Sequence, residues 1–390
     1  MIDLGLTTAQ LDAFHRTLAS AHRVDVRVRV LDRSRNYLAD ISNQLFDGQV
    51  NIDGDADVTR SLTLSLRDPN RALMWDTNSP SDGALFFDRN VQVLYVVSGP
   101  LLAKAGVPFV SVPVFTGPVT KASRTTDVVN IEASGIEQTM IPPTVAYYSR
   151  NYKKGMKRTD LVRAILGDLG GETKFTVPDW PERTTKDMPI LYNDNVWAKA
   201  KDVVGSRATN HLFYDGRGMC VLRKTPTTAA FAFRAGPGGL VASHPQVSYD
   251  ISDVRNAVRL TGGNPKGKAK APVVTVMAPD AHPLSPLSLG RNGKRRIMLD
   301  EANDDSAKTK TSAEKLAKQR LDDLLLQAVD VTFDALVVPH LEPEDIYSIS
   351  TPSLSMNARV KKLTIPLKAG TMSVGFLSKR SVNADRIRKR

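Results

Sequence analysis

Cysteine is nearly absent from this chain of 390 residues, where Cys220 stands alone. A single thiol cannot close an intramolecular disulfide, which excludes a disulfide-stapled scaffold and a cysteine-rich zinc module. Histidine is scarce as well. His15, His22, His211, His244, His282 and His340 are the six, none sits at metal-ligand spacing from another, and no H-E-x-x-H is present. The G-x-S-x-G elbow of serine hydrolases is missing. No basic region followed by an apolar stretch opens the chain, so no secretory signal is expected. One strongly apolar stretch, Val91 to Phe115, carries Lys104 as its single charge, but Gly99, Pro100, Gly106, Pro108 and Pro113 interrupt it. A spanning helix needs about 20 apolar residues with few such breaks. Two buried strands joined by a turn fit better.

What remains has an ordinary soluble composition, 41% hydrophobic and 24% charged. At roughly 150 residues per domain, two or three domains are expected. Lys and Arg number 53 against 41 Asp and Glu, a net charge of +12 spread along the chain. That excess points weakly to an anionic partner.

Periodicity organises the chain. Thr8 to Ser20 reads as a short helix capped by Thr8, with Leu11, Phe14 and Leu18 on one face. The period then switches to two. Val24, Val26, Val28 and Val30 alternate with polar residues, as do Leu62, Leu64 and Leu66 before the stop at Asp68-Pro69. Turns are expected at Asp47-Gly48 and Asp53-Gly54. Val91 to Val97, Phe109 to Phe115 and Val128 to Ala133 continue the strand series. The middle is mixed: a helix capped by Thr159 and ended by Gly170-Gly171, a second helix from Asn195 to Val204, and a hairpin turning on Asp215-Gly216-Arg217-Gly218. Gly236 to Gly239 is the best linker candidate. Strands return at Val254 to Leu260, Val273 to Met277, Val329 to Val337, Val360 to Leu367 and Met372 to Leu377. An extended loop, 278–310, and a helix, 311–328, lie among them.

The expected fold is therefore mainly β with an α+β insert: a sandwich or small barrel over roughly 23–140, a small α+β domain, and a second strand-rich region. The divisions are an N-terminal helix (1–22), a first strand-rich domain (23–141), the insert with its linker (142–240), a second strand-rich domain (241–377) and a basic C-terminal arm (378–390).

The local motifs argue against catalysis. Gly262 to Ala269 nearly matches a phosphate loop, yet Ala269 lacks the magnesium-binding hydroxyl, and Pro272 and a strand follow where a helix should open. Asp53, Asp55 and Asp57 alternate like calcium ligands, but Val58 and Leu64 occupy the positions of the required Gly and Glu. Asp300, Glu301, Asp304 and Asp305 read as a solvated acidic cluster, and Cys220 as a buried thiol. No catalytic residue, metal site or cofactor is expected. The basic positions Lys266, Lys268, Lys270, Arg291, Arg295, Arg296, Arg386 and Arg388 are candidate interface or channel contacts. No aromatics lie near the lysine run or the C-terminal cluster for base stacking, which disfavours a nucleic-acid-binding module.

Several stretches resemble the tail hub (baseplate hub) proteins of long-tailed bacteriophages, often labelled minor tail proteins in phages of actinobacteria. They are Val28 to Asp32, Asp57 to Pro69, Val247 to Val258, Pro283 to Arg291, Leu341 to Ile346 and Ile365 to Gly370. The resemblance implies two β-barrel-like domains flanking a small α+β domain, and a homotrimer at the tail tip in which two similar barrels per subunit match a sixfold tube. It implies contacts with distal tail or tail tube protein, tape measure protein and central fibre components, and passage of genome DNA without sequence-specific binding. Some members fuse to cell-wall hydrolases; a virion-associated hydrolase is the alternative reading, although this chain shows no such domain.

Overall fold

The computed structural model describes residues 1–74, 84–85, 89–141, 149–192, 194–204, 210–224, 226–248, 254–264, 270–280, 282, 284–286, 296–304, 307–326 and 330–377. The chain is mainly β and forms two compact units: 1–245 with 333–355 and 359–375, and 246–332 with 356–358 and 376–390.

The first unit is built on a long antiparallel run of strands in the order Ser355–Pro366, Leu45–Asp53, Arg60–Arg67, Val128–Ser134, Val110–Thr125, Asn90–Ser98, Arg23–Leu31 and Tyr37–Asp40. Alternation sets the register. Leu62, Leu64 and Leu66 are buried while Ser61, Thr63 and Arg67 are exposed, and a one-residue slip would exchange the two sets. Asn90–Ser98 is apolar on both faces because both are covered; Val91, Val93, Leu94, Tyr95, Val96 and Val97 are all buried. This accounts for the apolar stretch from Val91, and a short helix, Pro100–Lys104, joins it to the next strand. No helix among the described residues is long and apolar enough to cross a membrane. Val110–Thr125 is long enough to pair on both sides, and register shifts at Val93/Leu94 and Val119/Lys121 bend it from one neighbour to the next.

The mixed region lies within this unit. Helices Arg158–Gly170 and Val196–Val204 pack against the three-stranded sheet of Asn210–Tyr214, Cys220–Lys224 and Phe175–Thr176. Their core holds Leu161, Ile165, Trp197, Ala200, Tyr214 and Leu222. The expected hairpin turns at Asp215 to Gly218, where the Asp215 carboxylate accepts from the N–H groups of Arg217 (2.9 Å) and Met219 (3.0 Å). The turn docks on the long strand: Thr116 Oγ1 donates to the Gly216 carbonyl at 2.8 Å.

In the second unit, Val273–Met277, Ala257–Gly262 and Leu299–Asp304 form a sheet with Ala257–Gly262 in the centre. The helix Lys310–Leu326 covers one face, burying Ala313, Ala317 and Leu321 against Val258, Leu260 and Val274.

Several local expectations are corrected. Asp47-Gly48 is not a turn; it lies inside Leu45–Asp53, where a Cβ on Gly48 would stand 2.7 Å from the Thr63 carbonyl. Glycine serves strand contact there, and ladder pairing overrides turn propensity. Thr7, not Thr8, caps the first helix, and Lys157 occupies the N-cap position ahead of Thr159, whose side chain is buried. Gly236 to Gly239 is a turn rather than a linker. The chain doubles back so that Val241 N–H donates to the Arg234 carbonyl at 3.1 Å, and the unit boundary falls after Pro245. The stretch 278–310 contains the strand Leu299–Asp304; its parallel partner, Ala257–Gly262, is remote in sequence, so no hairpin signal marked it. The strand Ala229–Arg234 went unread; it pairs in parallel with Ile346–Ser350. Ser355–Pro366, placed by sequence in the second strand-rich domain, shares a sheet with Leu45–Asp53 from the first.

A Cβ on Gly216 would meet the Pro113 carbonyl oxygen at 2.0 Å. Gly216→Ala therefore forces the turn off its strand, and a loss of about 2 kcal/mol or more is expected, read by denaturant unfolding.

Candidate functional site

The six positions Lys266, Lys268, Arg291, Arg295, Arg386 and Arg388 lie outside the described residues, as does the expected C-terminal arm. Lys270 and Arg296 are both exposed, and the structure does not bring them together. Lys270 leads into Val273, which pairs with Thr261, whereas Arg296 leads into Leu299, which pairs with Ala257 at the opposite end of the central strand.

The densest chemistry is elsewhere, around Leu341 to Ile346. Sequence reading marked this segment only through the resemblance and assigned it no role. Glu342, Glu344 and Asp345 are each about 1% exposed, a burial that carboxylates tolerate only when paired. Glu342 is bridged by the Arg60 guanidinium, which also donates to the Tyr214 carbonyl. Arg359 meets Glu344 at 3.0 Å, and Arg223 meets Asp345 at 2.9 Å. The Tyr347 hydroxyl donates to Asp345 at 3.1 Å and accepts from the Glu342 N–H at 3.3 Å. Glu344 adopts φ +66°, the left-handed turn that lets successive acids face different arginines.

A further buried acid, Glu137, accepts from the N–H groups of Thr59 (3.4 Å) and Tyr214 (3.3 Å). Burial pushes the Glu137 carboxyl up, and does the same to Glu342 against the opposing pull of Arg60. The Cys220 thiol and Tyr214 hydroxyl are likewise driven up by burial, which makes Cys220 an inert core thiol. Glu342, Asp215 and Arg223 also line an open cavity of about 700 Å³ with Phe175, Trp180 and Phe213. Each of the two acids is already held by an arginine, Asp215 by Arg217 at 2.7 Å. The arrangement binds chain segments to one another rather than presenting a free acid and base.

The acidic triplet is similarly satisfied. Asp53, Asp55 and Asp57 meet Lys362 (3.1 Å), Lys361 (3.1 Å) and Lys201 (3.0 Å). In the second unit Arg320 bridges Asp300 from the helix.

Two histidines 325 positions apart meet in the first unit. His15 Nε2 lies 3.1 Å from His340 Nε2, with the rings stacked and Phe14 and Phe231 around them. Burial lowers the pKa of both; for His340 the neighbouring His15 adds to the effect, and for His15 the Asp12 carboxylate opposes it.

No protein-family model and no characterised protein matches the sequence. Solved structures match its fold. A tail protein from Neisseria meningitidis MC58 superposes with a TM-score of 0.61 at 10% identity, over 91% of this chain and 97% of its own. The 43 kDa tail protein of prophage MuSo2 from Shewanella oneidensis gives 0.58 at 11%, over 91% and 98%. A prophage tail protein from Listeria monocytogenes EGD-e gives 0.53 at 10%, over 93% and 97%. The chain thus has the fold of these tail proteins.

Removing one partner of a buried ion pair strands the other charge without water. Glu342→Gln should cost about 3–5 kcal/mol in chemical denaturation. The histidine pair sets a pH dependence. A folded-state pKa below the unfolded value of 6.5 means that the unfolded chain takes up protons first as pH falls below 6.5. Melting temperature should therefore drop on acidification through that window, and His340→Gln, which cannot titrate, should lose that increment.

Proposed function

We propose that this chain is a structural protein of a phage tail: the hub that closes the distal end of the tail tube and opens for genome delivery. The observation that carries the reading is the fold match to three tail proteins, two of them from prophages, over at least 91% of this chain and 97% of theirs. The buried network supports it, because arginines neutralise the acids that join distant segments, as suits a rigid assembly part. In this reading the protein is made in the host cytoplasm and resides in the virion at the tail's distal end. It acts as a homotrimer whose two strand-rich domains, either side of the mixed one, offer six positions to a sixfold tube. Its neighbours are the distal tail or tail tube protein, the tape measure protein and central fibre components, and DNA passes without sequence-specific contact.

Electron microscopy of assembled tails tests this. Threefold density for this chain at the tip is the expected result, and sixfold or single-copy density overturns the trimer. The isolated protein should leave purified host peptidoglycan intact. Clearing that is lost on mutation of one acidic residue would favour the hydrolase instead.

A further inference from the structure

We propose that the second unit continues its sheet into a neighbouring copy of the same chain, the outer edge of Val273–Met277 pairing antiparallel with the outer edge of the next copy's Leu299–Asp304. The inference rests on the reading above in one respect, that copies of this chain assemble.

The three-stranded sheet has two open edges: among the described residues neither outer strand has a partner beyond Ala257–Gly262. Hydrogen bonds fix which backbone groups face out. Gly262 N–H donates to the Pro272 carbonyl at 2.7 Å and Ala278 N–H to the Asn256 carbonyl at 2.9 Å. In an antiparallel ladder the bonded pairs alternate, so Leu260–Val274 and Val258–Val276 bond inward and Val273, Thr275 and Met277 present their N–H and C=O groups outward. On the other side Ala257 N–H donates to the Met298 carbonyl at 3.3 Å. The same counting along the parallel pair leaves the backbone of Leu299, Glu301 and Asn303 facing outward.

The first of these edges is unprotected. Val273–Met277 contains neither charge nor proline, and Val273 is 50% exposed. Edge strands that remain open in solution are ordinarily blunted by charge, proline or a bulge. The other edge complements it. With Thr275 set opposite Glu301, Met277 falls opposite Leu299, which is 39% exposed, and Val273 opposite Asn303. Lys270 then comes to the Asp304 end of an edge that carries Asp300, Glu301 and Asp304. Lys270 and the acids of Leu299–Asp304 thus flank opposite edges of one sheet. Because the two edges differ, the contact is head to tail, the kind that closes into a ring.

The test uses the full chain at high concentration with two single variants, Thr275→Cys and Glu301→Cys, the native Cys220 being fully buried. Within one copy both positions pair with Arg259 from opposite sides, two strand spacings apart, about 9.6 Å and beyond disulfide reach. Under mild oxidation a mixture of the two variants should form a disulfide-linked heterodimer that neither forms alone. Absence of that heterodimer, or equal crosslinking of like with like, overturns the inference. Thr275→Pro supplies a second readout, since the N–H it removes faces outward and the chain's own ladder stays intact. It should melt with the wild type yet lose self-association in sedimentation. Self-association that survives Thr275→Pro without the crosslink puts the interface between copies elsewhere, overturning this inference while the tail-hub reading stands. A chain that stays monomeric also overturns it, and the symmetry of assembled tails then judges the hub reading separately.

Discussion

The Arg60 guanidinium, about 2% exposed, holds three distant parts of the first unit at one point. It sits on a strand of the long sheet, bridges Glu342 from the C-terminal third and donates to the Tyr214 carbonyl of the inserted region. A guanidinium taken out of water loses several kcal/mol of hydration, which only close, well-oriented acceptors offset. Glu342 and the Tyr214 carbonyl meet that demand. Arg223 with Asp345 and Arg359 with Glu344 repeat the arrangement along the same short segment. Such pairs add little net stability over apolar packing, but a wrong arrangement leaves a charge stranded, which makes the geometry specific.

That specificity suits a part built into a larger assembly. Contacts within the first unit are fixed by groups that tolerate no alternative partner, whereas the second unit keeps two sheet edges without strand partners among the described residues.

Much of the fold was legible because period-two and helical patterns are local. Val24 to Val30, Leu62 to Leu66 and Val128 to Ala133 each became strands, and 159–169 and 195–204 became helices. Three of the misses share one cause. Asp47-Gly48, Ala229–Arg234 and Leu299–Asp304 owe their state to partners far along the chain, and no short window contains a partner. The candidate site was less legible still. Six of the eight basic positions singled out lie outside the described residues. The acids and arginines of the buried network carry no local sign of their burial, since burial is a property of the packed chain.

By itself the sequence determined that this is a mainly β protein with a mixed insert, lacking the local signatures of disulfide scaffold, phosphate loop or calcium loop, because those properties follow from residue type and short-range spacing. Tertiary structure alone decided that Arg60 meets Glu342, that His15 stacks on His340, and that Leu299–Asp304 lies beside Ala257–Gly262. Each of these joins residues separated by tens to hundreds of positions, and only a packed chain brings such residues close enough for desolvation and pairing to act on them.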